Sequence, residues 1–139
     1  MTKEEAIKQS LALINNSKIM MVGSIDEDGF PCIKAVTKME AEGLNRFWIS
    51  TNTSSQHVRQ LRKNPRACLY FVDQEHFQGL TLTGTMEILE DSESKRRLWR
   101  VGCEMYYPQG VDDPDYCVLR FTARKGRYYY ALSKVTFEV

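Results

Sequence analysis

Between Gln78 and Leu89 the chain alternates: Leu80, Leu82, Met86 and Ile88 share one face, and Thr81, Thr83, Thr85 and Glu87 share the other. A period of two is that of a strand with one buried and one wet side, not of a helix. Such a strand needs partners, and its neighbours in the chain supply them. Residues 19–25 lead into Asp26-Glu27-Asp28-Gly29, a hairpin signal in which Gly29 can take positive φ. Pro31 opens the next strand, residues 32–39, at an edge or start position where its missing N–H costs least. Glu42-Gly43 marks another turn before residues 44–51, with Phe47 and Ile49 on one face and Trp48 on the other. Residues 66–72 form a short aromatic and aliphatic strand. A last hairpin is expected from residues 116–124 and 127–137 around a Lys125-Gly126 turn. Turns this tight join antiparallel strands, because parallel pairing needs long crossovers. Gly84, mid-strand on the apolar face, marks a bend or a close backbone approach of the kind found in a curved small barrel.

Helical spacing punctuates the strands. Ile7, Leu11 and Ile14, joined by Ala6 and Leu13, predict a helix over residues 4–15, ended by Asn15-Asn16-Ser17. A second helix is expected from about Thr53 or Ser54, with Val58 and Leu61 inward and Asn64-Pro65 as its stop. Asp91 or Ser92 caps a third that is expected to reach Met105, with Leu98, Val101 and Met105 as its buried stripe. Residues 106–115 read as a loop. The fold class is therefore mainly β with flanking helices: one domain over residues 1–139, built as an antiparallel barrel. The run Tyr128-Tyr129-Tyr130 faces both sides of the last strand pair, which calls for burial on both sides or a partner on one.

Composition narrows the function. With 19 basic and 18 acidic side chains the net charge is +1, which argues against a protein that coats nucleic acid or an anionic membrane. The apolar runs are too short to span a bilayer, and residues 1–9 are polar rather than a signal segment. Cys32, Cys68, Cys103 and Cys117 contain no Cys-x-x-Cys pair and read as buried thiols of a reducing compartment, with cytoplasm the expected location. His57 and His76 belong to no zinc-type pair, and no metal site is expected. Walker, dinucleotide and Gly-x-Ser-x-Gly signatures are absent, and no residue stands out as a catalytic acid or base.

The segment Ser50-Thr51-Asn52-Thr53-Ser54-Ser55-Gln56-His57-Val58-Arg59 carries the candidate chemistry. A strand ends, hydroxyls cluster and a helix begins, so unpaired N–H groups and a favourable dipole await an anion. Thr51 and Ser55 offer hydroxyls, and His57 or Arg59 a partial or full charge. Lys34 and Lys38 lie on an earlier strand within reach of the same place. The plain alternative is that these hydroxyls only cap the helix and the charges only solvate it.

In these residues the chain resembles the FMN-binding split-barrel family related to pyridoxamine 5'-phosphate oxidase. The resemblance rests on an ordered set: Asp28-Gly29-x-Pro31, Phe47-x-x-x-Thr51, Ser55-x-His57, Leu61-x-x-Asn64-Pro65, Gly84, Asp91, Trp99 and Tyr107-Pro108-Gln109-Gly110-Val111-Asp112-Asp113-Pro114. It implies an antiparallel split β-barrel and a homodimer with FMN in clefts at the interface. Thr51, Ser55 and Lys34 would then serve the flavin phosphate, with His57 where the family usually has a lysine or arginine. Val36, Thr37, Lys38, Ile49 and Ser50 would border the isoalloxazine ring. Trp99 and parts of residues 106–112 would come from the other subunit. Among the family's general-stress and nitroimidazole-resistance-like branches, the implied function is an oxidoreductase or reductase of a small, aromatic or nitroaromatic, substrate. The alternative is a flavin-binding or stress-related dimeric module without turnover, and haem or a deazaflavin is an alternative occupant of the cleft.

Overall fold

The computed structural model describes residues 1–139. Its elements run α1 (Lys3–Asn16), β1 (Ile19–Ile25), β2 (Pro31–Thr37), β3 (Glu40–Glu42), β4 (Arg46–Asn52), α2 (Gln56–Lys63), β5 (Arg66–Asp73), β6 (Gln78–Leu89), α3 (Ser92–Leu98), β7 (Tyr116–Tyr130) and β8 (Ser133–Glu138). Every strand pair is antiparallel, in the order β2-β1-β5-β6-β7-β4-β3, and β8 pairs with β7. The eight strands form one curled sheet, the half-barrel of a split-barrel fold. No helix is long and apolar enough to cross a membrane.

The curl depends on β6 and β7. Their register shifts between Thr83 and Gly84, which pair with Lys125 and Ala123 and leave Arg124 as the extra residue of a bulge. Before it, Leu119, Phe121 and Ala123 point into the core; after it, Gly126 and Tyr128 do. The bulge bends the strand and resets which parity faces inward. At Gly84 a Cβ would lie 2.0 Å from the Thr122 carbonyl oxygen, so only glycine permits this backbone approach. The expected Lys125-Gly126 turn is therefore wrong: both residues lie within β7, and the chain reverses at Ala131, with φ of 52°. Gly126 is instead the seat of the Phe137 ring from β8, which would lie 2.5 Å from a Cβ there.

The main core gathers Met20, Val22, Phe47, Ile49, Leu69, Phe71, Leu80, Leu82, Leu119, Phe121 and Tyr128 under the curled sheet, closed by Ala6, Leu13 and Ile14 of α1. α1 begins at a capping box formed by Thr2 and Glu5, and the Tyr128 hydroxyl ties it to β7 by donating to Gln9 Oε1 at 2.8 Å. A smaller cluster of Trp48, Leu98, Tyr116 and Val118 lies on the other face of β4, where Trp99 and Tyr107 pack against it.

α3 ends at Leu98, seven residues short of the expected Met105, and the chain continues through irregular turns in which Gly102 takes φ of 98°. Val101 and Met105 are accordingly 103% and 83% exposed, not a buried stripe. The three-residue β3 lacks the length to show a period and was not foreseen. Of the four cysteines only Cys117 is buried; Cys32, Cys68 and Cys103 are half-buried, and all are free thiols.

Gly84→Ala should destabilise the protein by at least about 1–3 kcal/mol, the range for overpacking a close contact. Thr83→Ala, on the exposed neighbour, should stay within about 0.5 kcal/mol. Urea unfolding midpoints of the two variants check this.

Candidate functional site

β2, at one end of the sheet, comes close to β4, the strand next to the other end, and α2 starts where β4 ends. The turn between β4 and α2 is held from outside. The Asp115 carboxylate accepts the Ser54 N–H at 2.9 Å and the Thr53 and Ser54 hydroxyls at 3.0 and 3.2 Å, and these bonds hold its pKa below the usual carboxylate value. Thr53 and Ser54 thus do what plain turn-holding requires. Ser55 caps α2, its hydroxyl accepting the Val58 N–H at 3.4 Å. The N–H groups of Gln56 and His57, in the first turn, have no partner within the helix.

His57 points inward and is 7% exposed. Its Nε2 lies 2.9 Å from Thr51 Oγ1, while Nδ1 has no partner. Burial, and secondarily the charge of Lys34, pushes its pKa down to about 4, so the ring is neutral near pH 7. Lys34 is exposed on β2 and faces α2 across a cavity of about 280 Å³. Cys32, Ser24, Gln56, His57 and Gln60 line the same cavity. Within this lining Ser24 donates to Gln60 Oε1 at 2.6 Å, and Gln60 Nε2 donates to Cys32 Sγ at 3.7 Å.

Thr51, His57 and Lys34 therefore converge, with Ser55 at the head of the same helix. Lys38 does not join them: its ammonium donates to the Ile14 carbonyl at the end of α1, and burial pushes its pKa down. Val36 packs against the main core and Thr37 is exposed beside it on the β2 edge. Ile49 is buried in the core, whereas Ser50 lies on the opposite face of β4, with a buried hydroxyl that has no partner. Trp99 stacks within its own chain, 5.1 Å from the Tyr116 ring and 6.2 Å from that of Tyr107.

Ser24, Cys32, Gln60 and Asp115 escaped the sequence reading. Gln60 alone left a trace, one helical turn after His57. Elsewhere, Asp73, Glu75 and His76 bring ligand atoms within 4.8 Å of one another in an exposed turn, where Asp73 already accepts from His76 and Gln78.

Comparison with known proteins agrees with this architecture. No match was found among curated proteins. A crystal structure of a Clostridium acetobutylicum protein, described as related to general stress protein 26 of B. subtilis in the pyridoxinephosphate oxidase family, is 51% identical, with a TM-score of 0.88. The match covers 99% of this chain and 97% of that one. General stress protein 26 from Bacillus anthracis shares 16% identity over 99% of this chain and 100% of its own, with a TM-score of 0.74. A heme binding protein from Mycobacterium smegmatis shares 19% identity, with a TM-score of 0.79; the match covers 99% of this chain and 60% of that protein. These two more distant likenesses show the fold alone. The model of the family described as pyridoxamine 5'-phosphate oxidase matches residues 6–130, and this chain belongs to that family.

Proposed function

We propose that the chain binds FMN and acts as a homodimeric flavin-dependent reductase of a small aromatic or nitroaromatic compound. The observation that carries the reading is the convergence of Thr51, His57 and Lys34 at the start of α2. The donor set fits a phosphate ester: two free N–H groups at the helix head, the Thr51 and Ser55 hydroxyls, one ammonium and an imidazole with an orphaned nitrogen. Val36 and Thr37 at the end of β2 and the Lys38 backbone just after it, with Ile49 and Ser50 on β4, offer facing edges for a flat ring. Bound flavin would supply the electron transfer; the chain's part is to anchor the phosphate, orient the ring and limit water.

A second subunit belongs to this reading. Val101, Met105 and Tyr106 stand 103%, 83% and 77% exposed on the segment after α3. Exposed apolar side chains of this kind are what a second copy would cover. A module that binds flavin without turnover differs only in the redox step, so reduction by NADH or NADPH and reoxidation by a nitroaromatic separates the two.

Purified protein should be a dimer by light scattering and should show a flavin spectrum, or acquire one on titration with FMN. A monomer at micromolar concentration that takes up no FMN overturns the proposal. Replacing the neutral ring by a full charge, His57→Lys, should tighten FMN binding about tenfold, the difference between a neutral and a charge-assisted hydrogen bond, and steepen its salt dependence.

The same ring predicts a pH effect on stability. Folded His57 titrates near 4 and an unfolded histidine near 6.5, so in this window the unfolded chain binds more protons. The contribution of His57 is full above about pH 6.5 and is lost as the pH falls towards 4. Urea unfolding at pH 7 and pH 4.5 should show a smaller loss for His57→Gln than for the wild type; equal losses would contradict it.

A further inference from the structure

The cavity between β2 and α2 is lined by more than Lys34 and His57. Gln60 also lines it, 7% exposed and one turn beyond His57 on the same side of α2. Its carboxamide oxygen faces Ser24. The hydroxyl of Ser24, itself buried on β1, donates to Gln60 Oε1 at 2.6 Å, which places the amide nitrogen on the other side. That nitrogen has two hydrogens, and its one partner is the weak acceptor Cys32 Sγ at 3.7 Å. A buried carboxamide is thus held with an unspent N–H toward a cavity whose other polar walls are Lys34, His57 and Gln56. A poorly used buried donor is costly unless an acceptor arrives.

We infer that Gln60 is a binding residue of this pocket, oriented by Ser24, and that it donates to the phosphate of the bound flavin nucleotide. The inference rests on the FMN reading above. The pocket then holds its anion with one ammonium at the open side and neutral donors within. Ser24 is a positioning residue, because it reaches the ligand only through the carboxamide.

The test compares FMN with riboflavin, which carries the same ring and no phosphate, by flavin fluorescence titration on the dimeric protein. Losing a hydrogen bond to a charged acceptor costs about 1.5–3 kcal/mol, so Gln60→Leu should weaken FMN binding about tenfold or more and leave riboflavin binding unchanged. Gln60→Glu, of the same size, should weaken FMN further through like-charge repulsion, again with riboflavin unaffected. Ser24→Ala, which frees the carboxamide to rotate, should give a smaller FMN-selective loss. Thermal unfolding of each variant shows that it is folded; if Gln60→Leu does not fold, the Gln60→Glu and Ser24→Ala comparison decides. Equal losses for FMN and riboflavin, or no loss for either, overturn the role of Gln60. If the wild type binds no FMN, the reading beneath it fails instead. Protection of the wild type by inorganic phosphate in the same thermal assay, lost in Gln60→Glu, would then still support an anion pocket with Gln60 in it, and no protection would end the proposal.

Discussion

The one-residue slip between β6 and β7 is the constraint from which the rest of the architecture follows. Without Arg124 as an extra residue, a single parity along β7 would have to serve both halves of the strand. Leu119, Phe121 and Ala123 would then be buried at the expense of Gly126 and Tyr128. The bulge lets both halves bury their apolar sides and bends the ladder where Gly84 lies against the Thr122 carbonyl. Past it, β7 exchanges one neighbour for another, pairing with β4 through Thr122 and with β8 from Lys125. That exchange brings the sheet round until β2 and β4 approach each other without pairing. Beside them α2 begins, and the candidate site lies between β2 and α2.

This explains both what the amino-acid pattern made legible and what it concealed. Alternation along β6, the Asp28-Gly29 turn, the Asn64-Pro65 stop and the Asp91 cap are local signals, and local hydrogen bonding in the structure honours them. The Lys125-Gly126 pair misled because a bulge interrupts the period just where a glycine stands, which is also how a hairpin looks. Only the ring of Phe137, brought over by β8, distinguishes the two. Val101 and Met105 continue the helical spacing of Leu98, yet Gly102 between them adopts a left-handed conformation and ends the argument for a helix. In the site, the Thr51–His57 contact spans six residues and was within reach of a local reading. Asp115 on Ser54, Lys38 on Ile14 and Ser24 on Gln60 each join residues far apart in sequence, and no spacing announces them.

The imidazole at position 57 has a physical logic. The position is buried, and Lys34 already places one positive charge near it. A second ammonium there would be desolvated and repelled whenever no anion was present, and its charged form would be suppressed for the same two reasons that depress His57. A neutral ring bonded to Thr51 removes that difficulty. An empty pocket then contains no buried charge without a counter-charge, only neutral donors awaiting an acceptor.

That choice exchanges affinity for reversibility. A pocket with two ammonium groups gains strongly from a phosphate dianion and is destabilised when the anion leaves, so ligand loss and unfolding become coupled. With Lys34 exposed on β2, Gln56 and His57 lining the cavity and Thr51 bonded to His57, the proposed phosphate site would rely mostly on hydrogen bonds whose strength depends little on ionic strength. The folded state would then depend less on such a ligand, because Val58 and Leu61 of α2 are already part of the main core.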